Sequence, residues 1–306
     1  MEKCPACGDV IAGPRFAASD RLYGLPGCFT VAVCDTCGSG RTLPEVQDAE
    51  LEAYYPTSYA PYEPAERPIE RALSSLIRRW QGYRGLRRRP LSVLSDAPLT
   101  RALDVGCGRG DLATYLASKG WDMVGVEPSN QAAAAARDQG LSVLTGVLAT
   151  VDIPDRSFGA VVFQQSLEHT NEPLEDLRRT WAALMPGGIV SVAVPNFGGR
   201  QARRFSANWF HLDVPRHRTH LTPAGLSTLL KRAGFTDIAV STSTTPVGLP
   251  ASIQYRLAGR CLFPDGLRLR LAAGFSVLAL PIALTFDIGR LEGDVLEATA
   301  RRPSDR

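Results

Sequence analysis

LDVGCGRGDLATYLASKGWDMVGVEP, residues 103–128, decides the fold. The apolar run Ala102 to Val105 predicts a strand. Gly106, Gly108 and Gly110 predict a tight turn, a helix follows, and a second strand ends at Glu127. That is one βαβ unit whose turn is suited to a ligand. Glycines let the backbone bend sharply and let a ligand lie against the main chain, while the helix start offers unpaired N–H groups. The charges narrow the choice. Asp104 stands at the strand end, and Asp111 occupies the position where a dinucleotide-binding turn needs its third glycine. Two carboxylates beside a helix start repel a pyrophosphate and attract a cation. Glu127, about 20 residues past the first glycine, stands where an acidic side chain takes ribose hydroxyls.

These residues resemble motif I and the acidic motif of the class I S-adenosylmethionine-dependent methyltransferases. That donor carries an ammonium and a sulfonium and no phosphate, which suits the charges. The resemblance extends over residues 100–238. It implies a Rossmann-like, doubly wound α/β fold with seven mostly parallel strands and an antiparallel last strand. It also implies a cofactor site of Asp104, Gly106, Cys107, Gly108, Gly110, Glu127, Pro128 and Gln164. The pattern downstream agrees with a helix over Asn130 to Gln139, a strand over Leu141 to Leu144 and a buried parallel strand over Ala160 to Phe163. PLEDLRRTWAALMPGGIVSVAVPNF then reads as a helix, a PGG turn and a fifth strand, similar to segments of the quinone-biosynthesis O-methyltransferases. Two positions depart from the family pattern: Gly159 replaces an aspartate after the phenylalanine of strand four, and GVLATV lacks the usual acid after strand three. In relatives a Glu-x-x-Glu-His constellation holds a divalent ion; Glu168 and His169 match it, but Gln165 replaces the first glutamate.

Seven cysteines in a chain expected to stay in a reducing compartment argue for metal or packing before disulfides. Cys4-Pro-Ala-Cys7 and Cys34-Asp-Thr-Cys37 are two C-x-x-C knuckles, each followed by a glycine. Four thiolates at this spacing match tetrahedral zinc with no position left for water, hence a structural site in a ribbon over residues 1–45. Unmetallated thiols are the alternative. Cys28 reads as packed, with a spare metal ligand as its alternative, Cys261 as buried, and Cys107 as a small filler in the glycine turn.

Residues 46–98 form a tyrosine-rich and basic stretch. Tyr54, Tyr55, Tyr59 and Tyr62 suit either core packing or a functional role as a cover over the cofactor or a sugar platform. Ile69, Leu73, Leu76, Ile77 and Trp80 recur at helical spacing among arginines, a basic amphipathic helix suited to solvent, an anionic membrane or a diphosphate. Formal net charge is only +3, so no general nucleic-acid footprint is implied. The opening MEKCPACGDV lacks the apolar core of a secretory leader, so a cytoplasmic location is expected, with peripheral contact at the inner face of the membrane as the variant.

All four histidines fall late, at His169, His211, His217 and His220. Methyl transfer to a hydroxyl needs alignment and a group to take the proton, and histidine serves near neutral pH. The catalytic candidates are His217, with Asp213 as its orienting partner, and His169; Arg216 is a candidate for substrate phosphate. The segment around His217 resembles the histidine loop of sugar methyltransferases, some of which carry an N-terminal zinc module. Within the methyltransferase domain, residues 99–306, an insertion over 245–290 is uncharged from Leu271 through Phe286 but interrupted by Pro281. It is too short to span a bilayer and reads as a buried helical hairpin or as an element dipping into the membrane. The expected activity is methylation of a small-molecule, sugar or glycan hydroxyl, the glycan lipid-linked in one version. A quinone-like phenol or natural product is the alternative acceptor, and a zinc-ribbon RNA-binding or RNA-modifying protein the alternative class.

Overall fold

A computed structural model describes residues 2–56, 101–262 and 276–305. The central element is a seven-stranded sheet formed by β4 (Arg101–Val105), β5 (Asp122–Glu127), β6 (Ser142–Thr145), β7 (Phe158–Gln164), β8 (Leu184–Pro195), β10 (Thr236–Ser243) and β11 (Val295–Arg301). Its order is β10-β11-β8-β7-β4-β5-β6. Strands β4 to β8 run parallel, while β11 is antiparallel to both β8 and β10. The reversal at β4 and β7 opens a crevice at the carboxyl ends of those strands, where open α/β sheets take their ligands. Val161, Val162 and Phe163 of β7 are fully buried, as expected of a strand covered on both faces.

After the short α1 (Asp48–Leu51), helices cover the sheet: α2 (Asp111–Ala117), α3 (Asn130–Asp138), α4 (Pro173–Ala183) and α6 (Pro223–Arg232). The start of α3 is capped by Ser129, whose hydroxyl accepts from Ala132 N, and that of α6 by Thr222, which accepts from Gly225 N. The Pro-Gly-Gly sequence is not a separate turn: β8 already begins at Leu184, and Gly187, with φ +78°, kinks it.

A second, four-stranded antiparallel sheet joins β1 (Arg15–Ala18), β2 (Phe29–Val33), β3 (Gly40–Leu43) and β9 (Thr219–His220). Its last strand comes from the histidine segment, 178 residues beyond β3 in the register pair Arg41 to Thr219, so the cysteine-bearing N-terminus and the late histidines share a sheet.

Tyr59, Tyr62 and the basic stretch over 69–89 lie outside the described residues. In the insertion, α7 (Gly248–Ala258) and α8 (Leu280–Phe286) are described, with residues 263–275 between them outside. Pro281 sits in the first turn of α8, where its missing N–H costs nothing. The described part is not a buried hairpin: Ala283 is the buried residue of α8, while Leu278 and Ile282 are largely exposed. Cys28 is exposed and Cys261 half-buried, which corrects the packed reading of the first and the buried reading of the second.

Candidate active site

The glycine turn begins where β4 ends. Gly106, Gly108 and Gly110 have φ of +72°, +54° and +84°, values that side chains with a Cβ rarely adopt. Each has a separate spatial reason. A Cβ at Gly106 would lie 2.6 Å from Ser166 Cβ, one at Gly110 would overlap Leu141 Cδ1, and one at Gly108 would meet nothing within 4 Å. Gly108 therefore faces the open side of the turn, and Gly110 allows α2 to pack closely. Gly110→Ala is expected to lower stability by about 1–3 kcal/mol, since strain and overpacking combine there; a thermal melt of the variant checks this.

Two buried carboxylates flank the turn. Glu127 accepts from Gly108 N at 2.8 Å and Ser129 N at 2.9 Å, leaving each oxygen a lone pair for a further donor. Asp104 is buried and its Oδ1 has no partner among the described residues. Burial, and then the charge of Glu127, push its pKa up to about 7. An unpartnered buried carboxylate beside an open turn fits the ammonium and sulfonium of S-adenosylmethionine. Asp111 is not the second carboxylate: it begins α2, is half exposed and lies 3.2 Å from Arg109. Cys107 packs its sulfur over Gly125 and against α3, and burial raises its thiol pKa, so its side chain is a filler. Pro128 and Gln164 are exposed at the ends of β5 and β7.

If the cofactor's positive charge needs the ionised form of Asp104, its affinity rises with pH. The sign is fixed because the carboxyl holds its proton below about 7 in the free protein. The dissociation constant is expected to fall about tenfold per pH unit below that point and level off above it. Calorimetric titration checks this, and Asp104→Asn should flatten the profile.

Ser166 ties this turn to the next group: its hydroxyl donates to Val105 O at 2.6 Å. The 3-10 turn that follows, Leu167–His169, carries Glu168 and His169, and Arg218 N donates to Glu168 O at 2.9 Å. His217 thereby stands over Glu168, its Nε2 3.9 Å from Oε1. The His169 and His217 rings meet edge to face at 4.7 Å. Both imidazoles are oriented by main-chain carbonyls, His169 Nδ1 by Arg216 O at 3.0 Å and His217 Nδ1 by His211 O at 2.9 Å. A carbonyl only accepts, so in His217 Nδ1 carries the proton and Nε2 is left with its lone pair; His169 Nδ1 also lies 3.0 Å from the Tyr55 hydroxyl, which can donate or accept.

Neither oxygen of the buried Glu168 has a hydrogen-bond partner among the described residues. Burial pushes Glu168 up to about 8, and burial lowers His217 to about 4 and His169 to about 3. At neutral pH the cluster is a protonated carboxyl between two neutral imidazoles. Its ligand atoms lie within 4.8 Å of one another, so the set also fits a divalent cation.

Asp213 does not orient His217. Its Oδ2 is 3.9 Å from Nε2, and its oxygens accept from Arg216 at 2.6–3.1 Å. Arg216 does not reach substrate either. It is fully buried, donating to Asp20, Asp213 and Tyr54 O and lying over the Tyr23 ring. Burial disfavours its charge, but Asp213 and Asp20 hold it protonated. This cluster anchors the histidine loop to the N-terminal segment. His211 is held by Asp294 at 3.2 Å, and His220 packs on Phe197 and lies 2.9 Å from Thr42 Oγ1. Thr42 also donates to His217 O at 2.8 Å. Glu168 appeared in sequence only as half of an incomplete constellation, and nothing in sequence pointed to Asp20 or Thr42.

The four cysteines at the N-terminus converge, with Cys4 and Cys37 sulfurs 3.5 Å apart and Cys7 and Cys34 sulfurs likewise 3.5 Å. Tetrahedral zinc with Zn–S of ~2.3 Å needs sulfur separations of ~3.8 Å, so the donor set fits that ion with little movement. Gly8 and Gly38, at φ +89° and +71°, close the knuckles by donating to Cys4 O and Cys34 O. The hydrogen bond from Cys4 holds Cys37 down to about 4, whereas burial pushes Cys7 up to about 11.

Comparison with known proteins agrees with this geometry. The chain is 27% identical over 154 residues to the ubiquinone biosynthesis O-methyltransferase of Idiomarina loihiensis, covering 46% of this chain and 63% of that one. It is 27% identical over 175 residues to the trans-aconitate 2-methyltransferase of Deinococcus radiodurans, covering 53% and 68%. A probable S-adenosylmethionine-dependent methyltransferase of Mycolicibacterium smegmatis is 30% identical over 135 residues, covering 44% and 51%. The chain thus spans between half and about two-thirds of the length of these relatives. The fold resembles a putative sarcosine dimethylglycine methyltransferase from Galdieria sulphuraria, with a TM-score of 0.51 at 14% identity over 79% of this chain and 92% of that one. Residues 36–240 match the family described as a methyltransferase domain. With its glycine turn and paired acids at the carboxyl edge of the sheet, the chain belongs to the S-adenosylmethionine-dependent methyltransferases.

Proposed function

We propose that the chain methylates an oxygen of its acceptor, a sugar or glycan hydroxyl, and that His217 takes the proton. The observation that carries this reading is the His217 imidazole, which is neutral, has its Nδ1–H spent on His211 O, and turns Nε2 towards Glu168. When bound, S-adenosylmethionine supplies a methyl on a sulfonium that departs as a neutral thioether. The protein aligns the acceptor oxygen and removes its proton. Asp104 and Glu127 hold the donor's cationic and ribose portions, and Ser166 fixes the Glu168 turn against Gly106. As Nε2 takes up the proton, the imidazolium gains the ionised Asp213 carboxylate at 3.9 Å, which offsets its burial. A sugar hydroxyl is a poor nucleophile while protonated and benefits from such a base. One of the named relatives, the ubiquinone biosynthesis O-methyltransferase, is oxygen-directed by name, and a quinone-like phenol is the second acceptor class.

The unpartnered Glu168 oxygens favour one further reading, in which a divalent ion joins Glu168, His169 and His217. The ion would use the same Nε2 lone pair, so the two readings exclude each other. With the cysteine site kept loaded with zinc, activity restored by added magnesium or manganese would establish the ion and sink the base assignment.

The acceptor is tested by incubating the protein with methyl-labelled S-adenosylmethionine and whole-cell extract, then separating lipid, small-molecule, RNA and protein fractions. Base-stable label on a carbohydrate oxygen is expected. Label on an aromatic phenol would move the acceptor to the quinone class, and label on RNA would overturn both. The Cys4, Cys7, Cys34 and Cys37 site is proposed to hold zinc in a structural role.

A further inference from the structure

Among the described residues, eleven large apolar side chains are exposed, and eight of them fall between Ile253 and Ile288. Leu257 is 82%, Leu278 77% and Ile282 67% exposed. These values are far above those of scattered surface apolar residues such as Met185 at 36%. Ile253 and Leu257 lie four residues apart on α7; Leu278 and Ile282 lie four apart where the chain enters α8. Each pair therefore forms a stripe on one side of its helical turn.

The two stripes share a base. Leu249 of α7 and Ala283 of α8 pack into one cluster with Ala202 and Phe205 of α5 (Arg200–Phe205), and the Phe205 and Phe286 rings are 6.3 Å apart. Both elements thus stand on the same part of the fold with their buried sides down. Charge decides what they face. Arg256 and Arg260 are exposed beside Leu257 and Leu262, and Arg290 beside Ile288. From residue 248 to 286 the chain carries Arg256, Arg260, Arg268 and Arg270 against Asp265 alone. Apolar side chains bordered by cations match the acyl and phosphate layers of an anionic bilayer, the pattern of an element lying in the interface. No helix among the described residues is long and apolar enough to cross a membrane.

We infer that the α7–α8 face docks on an anionic lipid surface, inserting Leu257, Leu278 and Ile282 with Arg256 and Arg260 at the phosphates. This docking is independent of the acceptor that the active site takes.

The test is flotation of the full chain with vesicles of phosphatidylcholine alone or mixed equally with phosphatidylglycerol. Flotation is expected with the anionic vesicles and reversal by salt. Replacing Leu257, Leu278 and Ile282 together by Gln should lower the partition at least ~10-fold without changing cofactor affinity. Because that triple variant alters helix surfaces, the pair Arg256→Gln and Arg260→Gln serves as an independent probe. Each arginine near an anionic surface is worth about fivefold, so the pair should lose about 25-fold. Equal flotation with neutral and anionic vesicles, no flotation, or variants that float like the parent would overturn the docking. So would a concentration-dependent dimer that the leucine variant dissolves, since that would make the face a contact between two copies of the chain.

Discussion

Removing the zinc proposed for the N-terminal cysteines is expected to abolish methyl transfer while leaving cofactor binding in place. Zinc bound by four thiolates contributes about 10–16 kcal/mol to such a site, more than the short β1–β3 hairpins supply by themselves. Without it the two knuckles lose their common point, and the buried Cys4 and half-buried Cys7 are left as thiols whose pKa values are raised, that of Cys4 first by its hydrogen bond to Cys37 and that of Cys7 by burial. The consequence reaches the active site through three links. β3 pairs with β9 at Arg41–Thr219 and Gly40–His220, Thr42 Oγ1 donates to His217 O, and Thr222 Oγ1 donates to Cys37 O at 2.6 Å. The loop holding His217 therefore has the cysteine module on one side and the Glu168 turn on the other. The glycine turn belongs to β4 and β5 of the other sheet and makes none of these contacts.

Turnover is expected to fall at least ~100-fold in the chelated protein, with the cofactor dissociation constant changing less than about threefold. Cys34→Ser should behave the same way. Readdition of zinc should restore turnover in the chelated parent but not in the variant. Turnover that survived verified metal loss would show that β9 holds the histidine loop without the module.

His217→Ala should lower kcat by ~10²–10⁴-fold, the range for a positioned general base. Cofactor affinity should stay near that of the parent, because Asp104 and Glu127 are untouched. The ring is buried and packs against His169, so Ala also removes volume; His217→Gln separates that effect by keeping most of the side chain while removing the base. If the Gln variant turned over at the parent rate, His217 would be a packing residue. An equal loss in both variants, with melting temperatures close to that of the parent, would support proton removal at Nε2.

The same side chains show how far sequence reading reached. Local chemistry announced the glycine turn, since Gly106, Gly108 and Gly110 all take the left-handed backbone that their spacing suggested. It announced the two knuckles, whose four sulfurs do converge. The strand positions followed from apolar runs such as Ala160 to Phe163, because a strand covered on both faces must be apolar throughout. Assignments that depended on partners remote in sequence failed. Asp213 and Arg216, three residues apart, looked like site residues beside His217, but Asp20 lies 2.6 Å from the guanidinium and makes all three a buried ion cluster. Asp111 looked like the carboxylate partner of Asp104, yet the helix it begins directs it to Arg109, and Glu127 takes that place.

By itself the sequence determined the βαβ unit, the cysteine site and the family, because each rests on residues close together in the chain whose spacing is dictated by turn geometry or metal coordination. Only the tertiary structure decided that β9 completes the sheet of the cysteine module, that Glu168 lies beneath His217 and that Arg216 is a strut. Those pairings join segments up to 196 residues apart, and long-range contacts depend on how helices and strands pack, which leaves no periodic trace in the sequence.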